Sequence, residues 1–143
     1  MTKNISELFE EFKALKHWKK KKAFLEEHKD NKTLKFLLQG TFDPNIVWNI
    51  NKIPKYTPDE GPDGVNPATL FTTIPKCSIF VKGHPKGEGV TEQRLSELLI
   101  QVLESMHPAE SMIYEQMMKK KLKVKGLTEK LVLEVFPGLY RKV

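Results

Sequence analysis

The side chains with most to offer chemically are lysines, and they come in two runs. Lys16-His17-Trp18-Lys19-Lys20-Lys21-Lys22 places five cations beside an indole, and Lys119-Lys120-Lys121 continues through Lys123, Lys125 and Gly126 to Thr128 and Lys130. Residues 116–143 hold 8 basic and 2 acidic side chains, and the chain carries a net charge of +6. One lysine run on an exposed helix end reads as a solvated face. Two runs flanking a neutral middle point to an anionic partner, and lysines neutralise phosphates with release of counterions while reading no base edges. The second run is the more specific. Lys123-Val124-Lys125-Gly126 leads into a helix start, where free backbone N–H groups, the helix dipole and Thr128 can receive a phosphate, and Gly126 lets the backbone come close. The residues alone leave open whether these runs grip phosphates or are solvated faces; for a phosphate grip the candidate contacts in the first run are Lys19, Lys20, Lys21 and Lys22. In the second they are Lys119, Lys120, Lys121, Lys123, Lys125, Gly126, Thr128 and Lys130.

Other chemistry finds little support. His17, His28, His84 and His107 lie far apart and make no H-E-x-x-H or Cys/His spacing, so no metal is expected. Gly83-His84-Pro85-Lys86-Gly87-Glu88-Gly89 lacks the G-x-x-x-x-G-K-[ST] order of a phosphate loop and reads as a turn. Glu10-Glu11 and Glu26-Glu27 fall on faces that periodicity assigns to water, where a carboxylate gains no shifted pKa for acid–base work. With no G-x-S-x-G elbow and a lone Cys77, nucleophilic catalysis and disulfide chemistry are not expected either. The reading is a non-enzymatic binding protein without cofactor.

Helices must position these lysines. Ile5, Leu8, Phe9, Phe12 and Leu15 recur at three- and four-residue steps opposite Glu7, Glu10 and Glu11, an amphipathic helix. A second helix fits Lys19 to His28. A third, capped by Asp30, buries Leu34, Leu37 and Leu38 before Gly40 stops it. Seven of the nine prolines lie between Pro44 and Pro85, and Thr57 to Pro67 is a Pro/Gly-rich loop. Asn66-Pro67 opens a helix through Leu70, Ile74, Cys77 and Val81 that Pro75 kinks or ends, with a short strand at Ser78–Val81 as the competing view. The clearest helix runs from Thr91 to about Met106 and is the expected spine of the core. Pro108 opens the next, with Met112, Ile113 and Met117 inward and Met118-Lys119-Lys120-Lys121 at its end. Thr128 caps the last, which carries Leu131, Val132, Val135 and Phe136 and stops at Pro137-Gly138.

The expectation is one all-α domain spanning residues 1–143, with six or seven helices and irregular excursions at about 40–66 and 83–90. At 143 residues the chain is long enough to bury a core unaided. No stretch approaches 18 consecutive apolar residues and the N-terminus resembles no signal peptide, so a cytoplasmic location without membrane attachment is expected.

Gly126-Leu127-Thr128, followed after a helix by Val135-Phe136-Pro137-Gly138-Leu139, resembles the C-terminal signature of the helical DNA-binding domain that opens the ATP-dependent DNA ligases of T-even-type bacteriophages. Residues 21–35, Lys21-Lys22-Ala23-Phe24-Leu25 through Lys35, are similar to the first region of that domain. The similarity returns at the Thr91 helix and covers about two-thirds of the chain, little of it in residues 57–90. The resemblance implies an all-helical unit that grips duplex DNA around a nick, mainly through sugar-phosphate contacts at the minor groove, and hence duplex binding without sequence specificity. By position it implies contacts from Lys123, Lys125, Gly126, Thr128 and Lys130, with Lys19 to Lys22 as a second contact carried by charge more than by motif; in the same binding model Trp18 or Tyr56 would pack on sugar edges. The chain departs from the ligases in having a longer loop with Lys121 before Leu122. It also has no Lys-x-Asp-Gly adenylation motif, since Lys123-Val124-Lys125-Gly126 puts lysine where aspartate is required. Gly40-Thr41-Phe42-Asp43-Pro44 and Phe136 to Leu139 also resemble landmarks of small phage proteins, which implies the cytoplasm of an infected bacterium. The expected activity is sequence-independent duplex binding accessory to replication, repair or transcription. The alternative is an adaptor or host-takeover factor on the same fold that has lost DNA binding, contacting a phage or host protein through the Pro-rich excursion and Ile79-Phe80-Val81.

Overall fold

The apolar periodicity of the first segment is realised as α1 (Ile5–Ala14), which buries Ile5, Leu8, Phe9 and Phe12 and leaves Glu10 and Glu11 in water. The computed structural model describes residues 4–50, 52–57 and 68–139, and over these the protein is all-helical, with seven α-helices and two short 3₁₀ segments. After α1 come α2 (Trp18–Glu27) and α3 (Lys32–Phe42). The cap of α3 is Asn31, not Asp30: its side-chain oxygen accepts the Leu34 N–H at 3.1 Å. Gly40 does not stop this helix, which runs on to Phe42. Glycine is needed there because a Cβ would lie 2.8 Å from the Trp48 ring and 3.0 Å from the Met117 sulfur. Gly40 marks a close crossing of α3 by its neighbours.

The proposed helix start at Asn66-Pro67 and most of the Thr57–Pro67 loop lie outside the described residues. Thr69 precedes α4 (Leu70–Thr73), which tightens at once into a 3₁₀ segment, Ile74–Phe80. Pro75 sits in the first turn of that segment, so the α-helix does end just before it, as expected, and the chain continues as a tighter helix. The competing strand reduces to one antiparallel bridge between Trp48 and Val81, flanked by Asn49 N–H to Phe80 O at 2.6 Å and Lys82 N–H to Val47 O at 2.7 Å. A second 3₁₀ turn covers Pro85–Gly87.

The remaining helices are α5 (Glu92–Glu104), α6 (Pro108–Met118) and α7 (Glu129–Val135). Thr128 caps α7 as expected and Thr91, at the expected start of its helix, caps α5, each hydroxyl oxygen accepting a backbone N–H three residues on. The spine of the core is α6, not α5. It packs against α1, α3 and α5, and it buries Glu110, Ser111, Ile113, Tyr114, Met117 and Met118. By contrast α5 buries the single stripe Leu95, Leu99 and Leu103. Met112, expected inward, is 57% exposed, because the neighbours of α6 leave that side of it to solvent. Among the described residues no helix is long and apolar enough to cross a membrane.

Tyr114 is fully buried, its hydroxyl has no hydrogen-bond partner among the described residues, and burial raises its pKa far above the ordinary tyrosine value. Desolvating an unpaired hydroxyl costs about 1–3 kcal/mol. Replacing it with the ring alone, Y114F, is expected to stabilise the protein by about 1 kcal/mol in thermal or urea melts. A net loss would show that the hydroxyl is satisfied.

Candidate nucleic-acid interface

The second lysine run connects α6 to α7, and its backbone is fixed before its charges are presented. Lys120, just past the Lys119 cap of α6, lies in the left-handed region at φ 60°, which few residues adopt without compensation. The compensation comes from its own ammonium, which turns into the fold and donates to the carbonyls of Gly40 (3.0 Å), Asp43 (2.6 Å) and Ile46 (2.9 Å). Trp48 Nε1–H donates to the same Gly40 carbonyl at 3.0 Å. Burial lowers the Lys120 pKa from its ordinary value, and the nearby Asp43 carboxylate acts in the opposite direction. Lys120 is thus a clamp on the chain leaving α3, and its ammonium is not available to a phosphate.

Beyond it the chain alternates. Leu122 and Val124 are buried while Lys121, Lys123 and Lys125 are exposed, the period-two pattern of an extended segment with one face on the core. Lys121 N–H donates to the Gln116 carbonyl and Lys123 N–H to Gln116 Oε1, both at 3.0 Å, so α6 holds the start of the row. Lys21 holds its end. This side chain is buried, its Nζ 4.7 Å from the centre of the Phe12 ring, and it donates to the Lys125 carbonyl at 2.8 Å. Gly126 is required by its φ of 85°, and a Cβ there would also push aside the end of the Lys21 side chain, whose Nζ it would approach to 2.6 Å. The close approach it permits is therefore that of Lys21, not that of a ligand. Lys21 too is withdrawn from the surface, because a carbonyl 104 residues away supplies a better-placed acceptor than water.

The other residues of the first run lie on α2, which packs against α7. His17 caps this helix, its Nδ1 accepting the Lys19 N–H at 3.1 Å. Lys19 and Lys20 are exposed, and half-buried Lys22 faces Glu134 of α7 at 4.0 Å. Trp18 is 57% exposed, with Lys19 Nζ 5.9 Å from its ring centre. Trp18 forms one wall of a cleft of about 330 Å³ whose other lining residues are Gly126, Thr128, Lys130, Leu131 and Glu134. The fold thus joins the far end of the second run to the start of the first. Lys119 stands apart, paired with Glu115 at 3.0 Å, though Lys119, Lys121 and Lys123 share a second cleft with Met112 and Gln116.

The helix start at Thr128 differs from expectation. Its hydroxyl oxygen already accepts the Leu131 N–H, Glu129 brings negative charge into the first turn, and α7 has only seven residues. A short helix that opens on a carboxylate is a poor phosphate receptor, so the charge lies with the lysines. Tyr56 is also held within the fold: its hydroxyl donates to Glu115 Oε2 at 2.9 Å, and burial with this carboxylate raises its pKa. Among the described residues no group of three or more His, Cys, Asp or Glu could hold a metal. His84 and His107, like His17, each accept a backbone N–H two residues on through Nδ1. Cys77 is largely buried, which raises its thiol pKa to about 11. Neither a protein-family model nor a curated protein sequence matches the chain.

Because Lys120 is a clamp and not a contact, K120M should keep the apolar stem and lose three charge-assisted hydrogen bonds. The expected cost is about 2–3 kcal/mol, or a melting temperature lowered by roughly 6–10 °C at this chain length. Binding of polyanions by the folded fraction is expected to be unchanged. Weakened binding with an unaltered melt would reverse that assignment.

Proposed function

We propose that the protein binds duplex DNA through its phosphate backbone, without sequence specificity, as an accessory to replication, repair or transcription in the cytoplasm of an infected bacterium. The observation that carries this reading is the row Lys121, Lys123 and Lys125, exposed on a segment whose backbone is fixed by Gln116 and Lys21. Alternate residues of an extended chain stand about 6.7 Å apart, close to the step between neighbouring phosphates of one strand. Ammonium groups are point charges without the planar fork that reads guanine, which favours phosphates over base edges. Gly126, Leu127 and Thr128, among the residues through which the chain resembles phage ligase DNA-binding domains, adjoin the row.

The test is fluorescence anisotropy with intact, nicked and single-stranded oligonucleotides at two salt concentrations. Salt-sensitive binding that favours a duplex, nicked or intact, supports the reading; no binding at low salt removes it.

One observation favours the adaptor reading. Ile79, Phe80, Leu98 and Val102 line an open apolar groove with Lys76 and Lys86 among its lining residues, a surface suited to an acidic amphipathic segment of a phage or host protein. A partner retained by the wild type and lost with K76E/K86E, while DNA affinity stays the same, would support it.

A further inference from the structure

The backbone-binding reading accounts for lysines but not for Trp18. An indole left 57% in water at the first position of α2 keeps a large apolar surface hydrated, and among the described residues the ring stacked on it is that of His17, at 6.1 Å between centres. The cleft it borders is chemically mixed. Leu131 adds apolar surface, Thr128 and Lys130 add donors, and the Glu134 carboxylate, facing Lys22 across the α2–α7 contact, adds an acceptor. Gly126 contributes no side chain to the mouth. A volume of about 330 Å³ lies at the small end of the range for organic ligands, roughly 300–1,000 Å³.

A phosphate alone does not suit this cleft, since it has no use for an indole face and is repelled by Glu134. A sugar edge uses the apolar wall and leaves the acceptor idle. A nucleobase satisfies the whole set: its face stacks on Trp18 and its polar edge meets a carboxylate and donors. Bases in an intact duplex are stacked on one another and cannot present a face, so the base must come from an unpaired nucleotide. Lys130 lines the cleft and exposed Lys125 immediately precedes Gly126 in the chain, so both cations are available to phosphates flanking the base.

We propose that the Trp18 cleft between α2 and α7 receives an unpaired base, so that the protein prefers duplexes carrying a single-stranded overhang, flap or gap. This rests on the backbone-binding reading and narrows it to a substrate class.

The experiment titrates the full chain with a blunt duplex, with the same duplex bearing a short overhang, and with a free deoxynucleoside monophosphate. Anisotropy and tryptophan emission are followed, W18F identifying the Trp18 part of the signal. The overhang is expected to bind about tenfold more tightly than the blunt duplex. It should quench Trp18 where the blunt duplex does not. W18A should abolish that advantage, weakening the overhang far more than the blunt duplex, and leave the thermal melt unchanged, and W18F should retain part of it. Equal affinity for both duplexes, or equal weakening of both by W18A, overturns the proposal while the backbone grip survives. Free nucleotide binding as tightly as the overhang also overturns it, making the cleft a mononucleotide site. If no DNA binds at low salt, both readings fall together.

Discussion

Reversing Lys121, Lys123 and Lys125 together, K121E/K123E/K125E, is expected to lower affinity for every duplex by about two to three orders of magnitude near 0.1 M salt. The estimate follows from counterion release. Each phosphate neutralised contributes about 0.9 to the slope of log affinity against log salt, so three lost contacts flatten that slope by about 2.7. Glutamate in their place adds repulsion, which makes the figure a lower bound. The loss should be the same for unrelated sequences, because point charges on phosphates carry no base information. It should also leave the fold intact: all three side chains are exposed, and the contacts fixing this segment are made by its backbone and by Gln116, Lys21 and Lys120. The pair K76E/K86E, from the lysines of the apolar groove, removes the same kind of charge elsewhere and is expected to change affinity far less. Sequence-selective loss, or a triple variant that binds as well as wild type, would end the model of a phosphate-tracking row.

The elements that position this row were legible where a signal is local. Helix α1 announces itself by its apolar step, the start of α5 at Thr91 by the same periodicity, and the cap Thr128 by residue type. What escaped reading is long-range. Nothing in a run of four lysines distinguishes Lys21 from Lys20, yet one bonds a carbonyl 104 residues further on and the other stays in water. Lys120 looks like the last residue of a solvated helix end until the carbonyls of Gly40, Asp43 and Ile46 are brought beneath it. Gly40 reads as a stop because the Trp48 ring that needs its missing side chain arrives from a loop. In each case propensity was overridden by an unmet backbone acceptor or a close crossing, and neither is encoded in the residue's own neighbourhood. Trp18 was legible as an aromatic among lysines, but the cleft beside it exists only once α7 packs on α2.

Glu110 is the extreme case of that rule, and E110A is expected to destabilise the protein by about 3–5 kcal/mol. The residue occupies the first turn of α6, where an acid is ordinary and would pass as a favourable charge near a helix N-terminus. Yet it is 1% exposed, and its carboxylate accepts the Ser6 N–H at 2.8 Å and the Leu70 N–H at 3.4 Å. Those donors belong to the first turns of α1 and α4, whose N–H groups have no acceptor within their own helices. One side chain therefore satisfies orphan donors from two other helices while sitting in the first turn of a third. Truncation leaves those donors buried without their acceptor, and the elements joined at this point are 104 and 40 residues away along the chain. Set against a typical total of about 5–15 kcal/mol for a domain, the loss is large enough to leave E110A partly unfolded at 37 °C. The isosteric E110Q separates shape from charge. It keeps one acceptor oxygen but turns an NH₂ towards a backbone donor, so a cost of about 2–3 kcal/mol is expected. Urea melts should show both variants with a lower midpoint and an unchanged slope, as for a change in stability without a change in the surface exposed on unfolding. A midpoint for E110A within 1 kcal/mol of wild type would mean that water reaches these N–H groups and that the three helices meet without a shared acceptor.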